Sequence, residues 1–277
     1  ALLKPFATEL LARKPVSRLM STDFLAVELG QSLQQVSRLL TSRARQRIEE
    51  DFVITQAGRY HGLGRVIDVL RLITELKIRQ ARHANPLTLL PGNVPIQQSL
   101  TRLLLQRRPA MVCYVDIDNF KPFNDLYGYA KGDEVLLCLA QCLNERIDRR
   151  LDFVGHIGGD DFMLVLGGDD WEHRIEQLQR DFQCRSGAYY KREHVAEGFF
   201  TATSRDGQEQ RYALPTLSIG VVKVRPECTD HLDAGRLAAL ASEAKRHAKK
   251  ISGPSYHLID TAVLAGSHNP SCAALVL

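Results

Sequence analysis

The sequence has one tryptophan, three methionines and no uninterrupted apolar stretch near the ~18–20 residues that a membrane span requires. A secretory leader is also missing, because no basic segment followed by a long apolar one opens the chain. The six cysteines (113, 138, 142, 184, 228 and 272) include no CxxC pair and no framework spacing. That excludes a disulfide scaffold and points to reduced thiols in a cytoplasmic setting. The histidines are scattered without zinc spacing. Charge of one sign is lacking too: 36 Lys and Arg against 32 Asp and Glu leave +4, too mild for a nucleic-acid binder. Residues 1–85 carry 14 basic against 8 acidic side chains and residues 86–277 carry 22 against 24, so the basic excess belongs to the first third.

What is present suits a globular chain. Its 277 residues allow two domains or one large one, and 44% hydrophobic with 25% charged residues is ordinary core-forming material. The chain opens on Ala1 rather than Met, and residues 1–15, helix-like up to Pro15, read as a leader or as the tail of an upstream domain. Next come a strand (24–29), a helix (32–41) that Ser32 can cap, a strand (51–55), a turn (56–59) and a short strand (60–63). A helix from Val66 keeps apolar residues at Val66, Val69, Leu70, Ile73, Leu76 and Ile78, and runs as a connector toward the Asn85-Pro86 boundary. Beyond it the pattern predicts a helix (95–107), a strand (111–115), a helix (132–147), a strand (153–157) and a Gly158-Gly159 turn. A strand (162–166), a helix (171–184), an irregular insert (185–213), a strand (217–224) and a helix (232–250) follow. Strands alternating with helices around one hairpin predict an α/β fold with a mixed sheet flanked by helices. Cys138 and Cys142, one helical turn apart, read as core residues.

Three acids stand out. Asp116 ends the buried run Met111–Val115, and carboxylates at a strand end can hold magnesium through hard oxygen ligands. Asp160 and Asp161 follow a Gly-Gly pair that permits a tight turn. If the two strands are neighbours these acids converge, and their repulsion calls for a cation. The competing reading is that each Asp merely caps a turn. A second Gly-Gly-Asp-Asp run, 167–170, precedes Trp171 and a helix, so its acids read as an N-cap and first-turn charges.

Taken in order, the motifs resemble the GGDEF domains, diguanylate cyclases that join two GTP into cyclic di-GMP. The resemblance covers about residues 85–259. Asn85-Pro-Leu-Thr-Leu-Leu-Pro-Gly-Asn93 is similar to the opening motif. Val115–Asn124, with Gly128 and Lys131-Gly-Asp133, resembles the nucleotide segment. Gly158-Gly-Asp-Asp-Phe162 resembles the signature itself, and Leu217–Gly220 with Ala244-Lys245 resembles the later strand and helix motifs. The resemblance implies a palm-like sheet with Asp116, Asp160 and Asp161 as its catalytic acids. Asp116, the Ile117 carbonyl and Asp160 would bind magnesium, manganese being the other candidate. Asn124 and Asp133 would hydrogen-bond the guanine, while backbone at Asn119, Phe120 and Lys121, with Lys245 and Lys249, would hold the phosphates. Arg149 and Asp152 match an RxxD inhibitory site for cyclic di-GMP. The sequence departs from the family at three places: Asp161 stands where Glu is usual, His156 where Arg is frequent, and Lys249 where Arg is expected. Two further readings stay open, a degenerate domain that binds GTP or cyclic di-GMP as a regulatory module, and a template-directed polymerase palm. The net −2 of residues 86–277 speaks against the polymerase.

Residues 16–84 resemble a single CBS motif plus a linker helix. Such motifs pair, which implies a homodimer through residues 16–80. Asp68 matches the family's ribose-binding acid, but Arg65 stands at its hydroxyl position, so dimerisation rather than nucleotide binding is implied. In related proteins an EAL phosphodiesterase domain can precede this arrangement. The expected organisation is therefore 1–15, 16–84 and a GGDEF-like domain over 85–277. Its insert, 185–213, is read as carrying an exposed hairpin that turns at 205–207.

Overall fold

Ser32 starts the first long helix as its chemistry suggests: its hydroxyl accepts from the Gln35 amide, and the Gln35 side chain accepts from the Ser32 amide. The computed structural model describes residues 13–15, 17, 20, 22–43, 47, 49–203 and 208–266, and the chain divides into two units, 1–79 and 80–277. The segment expected to be a leader or upstream tail, and the turn expected at 205–207, lie largely outside the described residues.

The first unit runs β1 (Ala26–Glu28), α1 (Leu33–Thr41), β2 (Phe52–Gln56), β3 (Arg59–Gly64) and most of α2 (Val66–Arg82), whose last three residues fall in the second. β1 pairs parallel to β2, which pairs antiparallel to β3. Val27, Val36, Leu40, Phe52, Val66 and Val69 form its core. The helix expected from Val66 forms, but its apolar positions do not share one environment. Val66 and Val69 are buried, whereas Leu70, Leu76 and Ile78 are exposed. Arg65 meets Asp68 with two bonds, 2.7 and 3.1 Å, so that carboxylate already has its cation.

The second unit contains α3 (Asn93–Leu105), β4 (Ala110–Ile117), α4 (Phe120–Tyr127), α5 (Tyr129–Glu145), β5 (Phe153–Gly158) and β6 (Asp161–Leu166). α6 (Trp171–Ser186), α7 (Arg192–Glu197), β7 (Phe199–Thr203) and β8 (Glu209–Ala213) follow, then β9 (Leu217–Val224), α8 (Ala234–Ala248), β10 (Ser255–Asp260) and α9 (Thr261–Gly266). Five strands make one mixed sheet in the order β10-β9-β4-β6-β5, and β7 with β8 forms a separate hairpin. The period of two in β4 sends Cys113, Val115 and Ile117 toward the core that contains α5 and α6, and Val112 toward the core that contains α3 and α8. Cys138 and Cys142 are buried, as read.

Three elements depart from the expectation. The segment 120–128 is not a loop: α4 fills it, separated from α5 by Gly128 at φ +86°. β10 was not foreseen, because its Ser-Tyr-His-Leu-Ile-Asp sequence lacks a strong apolar run, yet it pairs parallel with β9 along its whole length. The described residues of the insert form α7, β7 and β8 rather than irregular chain, and the hairpin is not simply exposed. Phe200 is fully buried, with ring centroids 5.8 Å from Tyr212 and 6.3 Å from both Tyr127 and Tyr190. In the second Gly-Gly-Asp-Asp run Asp170 occupies the N-cap position of α6 but makes no cap bond. It lies 3.8 Å from Arg174 instead.

Candidate active site

The site forms at the ends of β4 and β6. Asp116 and Asp161 are register partners across these strands, and Asp160 precedes Asp161 in the turn. Gly158 and Gly159 make that turn at φ +152° and +58°, values that side-chain-bearing residues adopt poorly. Alternation along β4 places Asp116 on the face that α8 covers. From α8, Lys245 reaches Asp116 Oδ2 at 2.9 Å and Asp161 Oδ1 at 2.8 Å. Lys249, one turn further on, forms an ion pair with Asp116 Oδ1. The ammonium of Lys245 also sits 4.4 Å from the centroid of the Tyr114 ring.

The repulsion read from the sequence is therefore answered by two lysines. Electrostatic cost remains. Burial raises the Asp116 carboxyl to about 6, with the neighbouring Asp160 charge adding to the rise against the lysine contacts. Burial likewise raises Asp160, and Asp161 pushes the same way. Burial would lower Lys245, but its bonds to Asp161 and Asp116 outweigh this and hold it charged. Tyr114, half-buried beside Asp161, is raised to about 12.

Cation fit follows from the same atoms. Asp116 Oδ1 is buried and faces the Lys249 ammonium, and its second lone pair can serve a hard cation. Among the described residues no group of three or more His, Cys, Asp or Glu is arranged to hold a metal, so the candidate donors are two carboxylates and one carbonyl. Asp118, the second acid of the strand end, accepts from Thr216 Oγ1 at 2.7 Å and Ser218 Oγ at 2.6 Å. It braces β9 instead of joining the cluster.

Asn119 takes a left-handed backbone (φ +57°) at the N-terminus of α4, and its amide donates to Ala213 O at 3.1 Å. Phe120 is buried, so only its backbone is available, while Lys121 is exposed. Asn124 Oδ1 is buried without a partner. The amide lies against Gly132, where an added Cβ would come within 1.9 Å of Oδ1, beside the exposed Asp133.

Arg149 and Asp152 separate in character. Arg149 is exposed and lines an open cleft of about 290 Å³ with Arg102, Arg108 and Arg150. The Asp152 side chain is fully buried. Its Oδ1 accepts from the Gly167 amide at 2.8 Å, and its Oδ2 from the Asp148 amide at 2.6 Å and from Arg174. No oxygen of Asp152 is left for a guanine in this arrangement.

Sequence reasoning missed the role of His156 and Thr88. The His156 ring stacks on Phe162 at 4.0 Å and bonds Thr88 Oγ1 at 2.9 Å and Gly159 O at 2.8 Å. Only the tertiary fold brings Thr88 to it across 68 residues of chain.

Residues 83–253 match the family described as diguanylate cyclase, GGDEF domain. The chain is 28% identical over 200 residues to diguanylate cyclase DgcP of Escherichia coli K12, covering 69% of this chain and 53% of that protein. It thus spans about half the length of that relative. The fold is shared with diguanylate cyclase SiaD from Pseudomonas aeruginosa, solved in complex with its activator SiaC, at a TM-score of 0.50 and 19% identity over 82% of this chain and 73% of that one. It is shared equally with the coiled coil and GGDEF domain of DgcB from Caulobacter crescentus in complex with c-di-GMP, at a TM-score of 0.50 and 20% identity over 70% and 94%.

Proposed function

Because the chain belongs to the GGDEF diguanylate cyclase domain family, we propose that it condenses two GTP into cyclic di-GMP with release of pyrophosphate. The observation that carries this reading is the pairing of Asp116 with Asp161 across β4 and β6 beneath Lys245 and Lys249, with Asp160 adjacent in the turn. Asp116, Asp160 and the Ile117 carbonyl would hold a divalent cation, magnesium first and manganese second. Such an ion, when bound, lowers the pKa of the attacking 3′-hydroxyl and offsets charge developing at the α-phosphate. Lys245 and Lys249, released from the acids, hold the β- and γ-phosphates as point charges. The free amides at the start of α4, over Asn119–Lys121, face the same anion. Asn124, whose buried Oδ1 lacks a donor, and Asp133 take the guanine edge.

Each domain binds one GTP, so two copies must face each other. The strand–helix–strand–strand–helix order of the first unit supports a CBS-like motif that pairs with a second copy of itself. Product inhibition is assigned to the cleft at Arg149, with Asp152 acting by holding the loop that carries Arg149. One observation favours the second reading, a regulatory module that binds GTP or cyclic di-GMP without turnover. Asp161 is one methylene shorter than Glu and is already bonded to Lys245.

Mass spectrometry of the product, after the full chain is incubated with GTP and magnesium, tests the proposal. Cyclic di-GMP and pyrophosphate are expected. Binding of GTP without either product would overturn the cyclase reading in favour of the regulatory one.

A further inference from the structure

The signature turn rests on two adjacent glycines, so nothing in its own covalent structure fixes the peptide between Gly159 and Asp160. A trans peptide is planar, and its C=O and N–H point in opposite directions. Whatever fixes the Gly159 carbonyl therefore also aims the Asp160 amide. In this molecule the group that fixes it is His156, through the bond of 2.8 Å from Nε2 to Gly159 O.

Hydrogen-bond chemistry sets the ring's tautomer. A carbonyl oxygen can only accept, so Nε2 must carry the proton. In a neutral imidazole Nδ1 is then an acceptor, and the Thr88 hydroxyl at 2.9 Å donates to it. Thr88 Oγ1 in turn accepts from the Leu90 amide at 3.4 Å, and the Asn85 side chain accepts from the amides of Leu87 and Thr88. The loop 85–91 is tied to β5 again where the His156 amide donates to Pro91 O at 2.8 Å. His156 is 2% exposed and stacked on Phe162, with burial disfavouring its charged form. The chain Leu90–Thr88–His156–Gly159 is thus continuous and directional, and Asn85 anchors it by accepting from the Thr88 amide.

We infer that His156 is a positioning residue which, held as the Nε2–H tautomer by Thr88, locks the Gly159–Asp160 peptide so that the Asp160 amide and carboxylate face Asp116. This assignment rests on the cyclase reading for its effect on turnover, but not for the tautomer itself. The Asp160 amide favours the charged form of its own carboxylate against burial, which couples the peptide's orientation to the acid. A flipped peptide would turn that amide inward and release the acid.

Two measurements test the assignment on the full chain. Long-range 1H–15N NMR without nucleotide should show His156 protonated at Nε2 and bare at Nδ1 at neutral pH. An Nδ1–H or doubly protonated ring overturns the assignment, whatever the protein's activity. In turnover assays His156→Phe keeps a ring against Phe162 but loses both bonds. Its kcat should fall on the order of tenfold to a hundredfold, with KM for GTP nearly unchanged. His156→Gln, whose amide can still donate to Gly159 O, should recover most of that loss. Wild-type kcat in His156→Phe, or equal damage in both variants, overturns the positioning role. Should His156→Phe fail to fold, Thr88→Val removes the donor to Nδ1 and should mix the tautomers while leaving the ring in place. An unmixed Nε2–H tautomer in that variant overturns the part assigned to Thr88. A wild-type chain that makes no cyclic di-GMP refutes the cyclase reading alone, since the tautomer is read independently.

Discussion

Asp116 combines burial at 3% exposure with two lysine partners and an acid neighbour, and the balance leaves its carboxyl raised to about 6. For a carboxyl raised in the folded state, the contribution to stability is full below the unfolded value of 3.8 and is lost as pH climbs through about 6. Above that window, ionised Asp116 weighs against the fold. Asp116→Asn is therefore expected to stabilise the cation-free protein at pH 7 by about 1–3 kcal/mol, with the gain vanishing below about pH 4. Urea unfolding of both proteins across that range gives the check; an equal gain at low pH would show a packing effect instead. Magnesium should raise the melting temperature of the wild type and leave that of Asp116→Asn unchanged, because the cation relieves the charge that the variant lacks. The convergence of the two acid motifs was legible in the sequence, since each ends a short apolar run. The answering lysines were not legible as partners: 129 residues separate Lys245 from Asp116, and only the register of β4 under α8 joins them.

At the scale of elements, the insert and the Arg149 loop each turn on one buried side chain. Phe200 sits fully buried among Tyr127, Tyr190, Tyr212 and His194. Phe200→Ala should lower the unfolding free energy by about 3–5 kcal/mol, measurable by chemical denaturation. A cost under ~1 kcal/mol would mean that the β7–β8 hairpin is an ornament on the surface. Asp152→Ala leaves Arg174, itself only 14% exposed, with only the exposed Asp170 at 3.8 Å. Breaking such a buried pair is expected to cost about 3–5 kcal/mol, whereas the exposed Arg149→Ala should stay within about 0.5 kcal/mol. If Asp152→Ala instead keeps wild-type stability and abolishes cyclic di-GMP inhibition, Asp152 contacts product directly. Sequence pattern located the helices and strands with strong apolar periods. It missed α4, whose eight residues hold two phenylalanines but little else apolar, and β10, which is a strand only because β9 supplies its hydrogen bonds.

For the whole molecule, the proposed condensation of two GTP would require two copies, and the first unit exposes apolar side chains that the proposed pairing would cover. Leu63, Ile67, Leu70 and Ile78 are 65, 59, 51 and 48% exposed. On α2, the residues 67, 70 and 78 follow helical spacing away from the core positions Val66 and Val69. Under the proposed pairing the wild type should dimerise with rising concentration, and Ile67→Glu combined with Leu70→Glu should leave a monomer of unchanged helix content, as read by sedimentation equilibrium and circular dichroism. Cyclic di-GMP synthesis should fall with the dimer. A double variant that still sediments as the wild type would remove this face from the interface.

The sequence by itself determined which chemistry is possible. Acids at strand ends, a turn that two glycines permit, and motifs in a fixed order are local properties, written in neighbouring residues and in periods of two and 3.6. Tertiary structure alone decided which side chains neutralise which. It gave Asp116 and Asp161 to Lys245, withdrew Asp118 to Thr216 and Ser218, buried Asp152 against Arg174, and set His156 between Thr88 and Gly159. Those pairings depend on sheet register and helix placement, which bring together residues up to 129 positions apart, a distance that no local pattern spans.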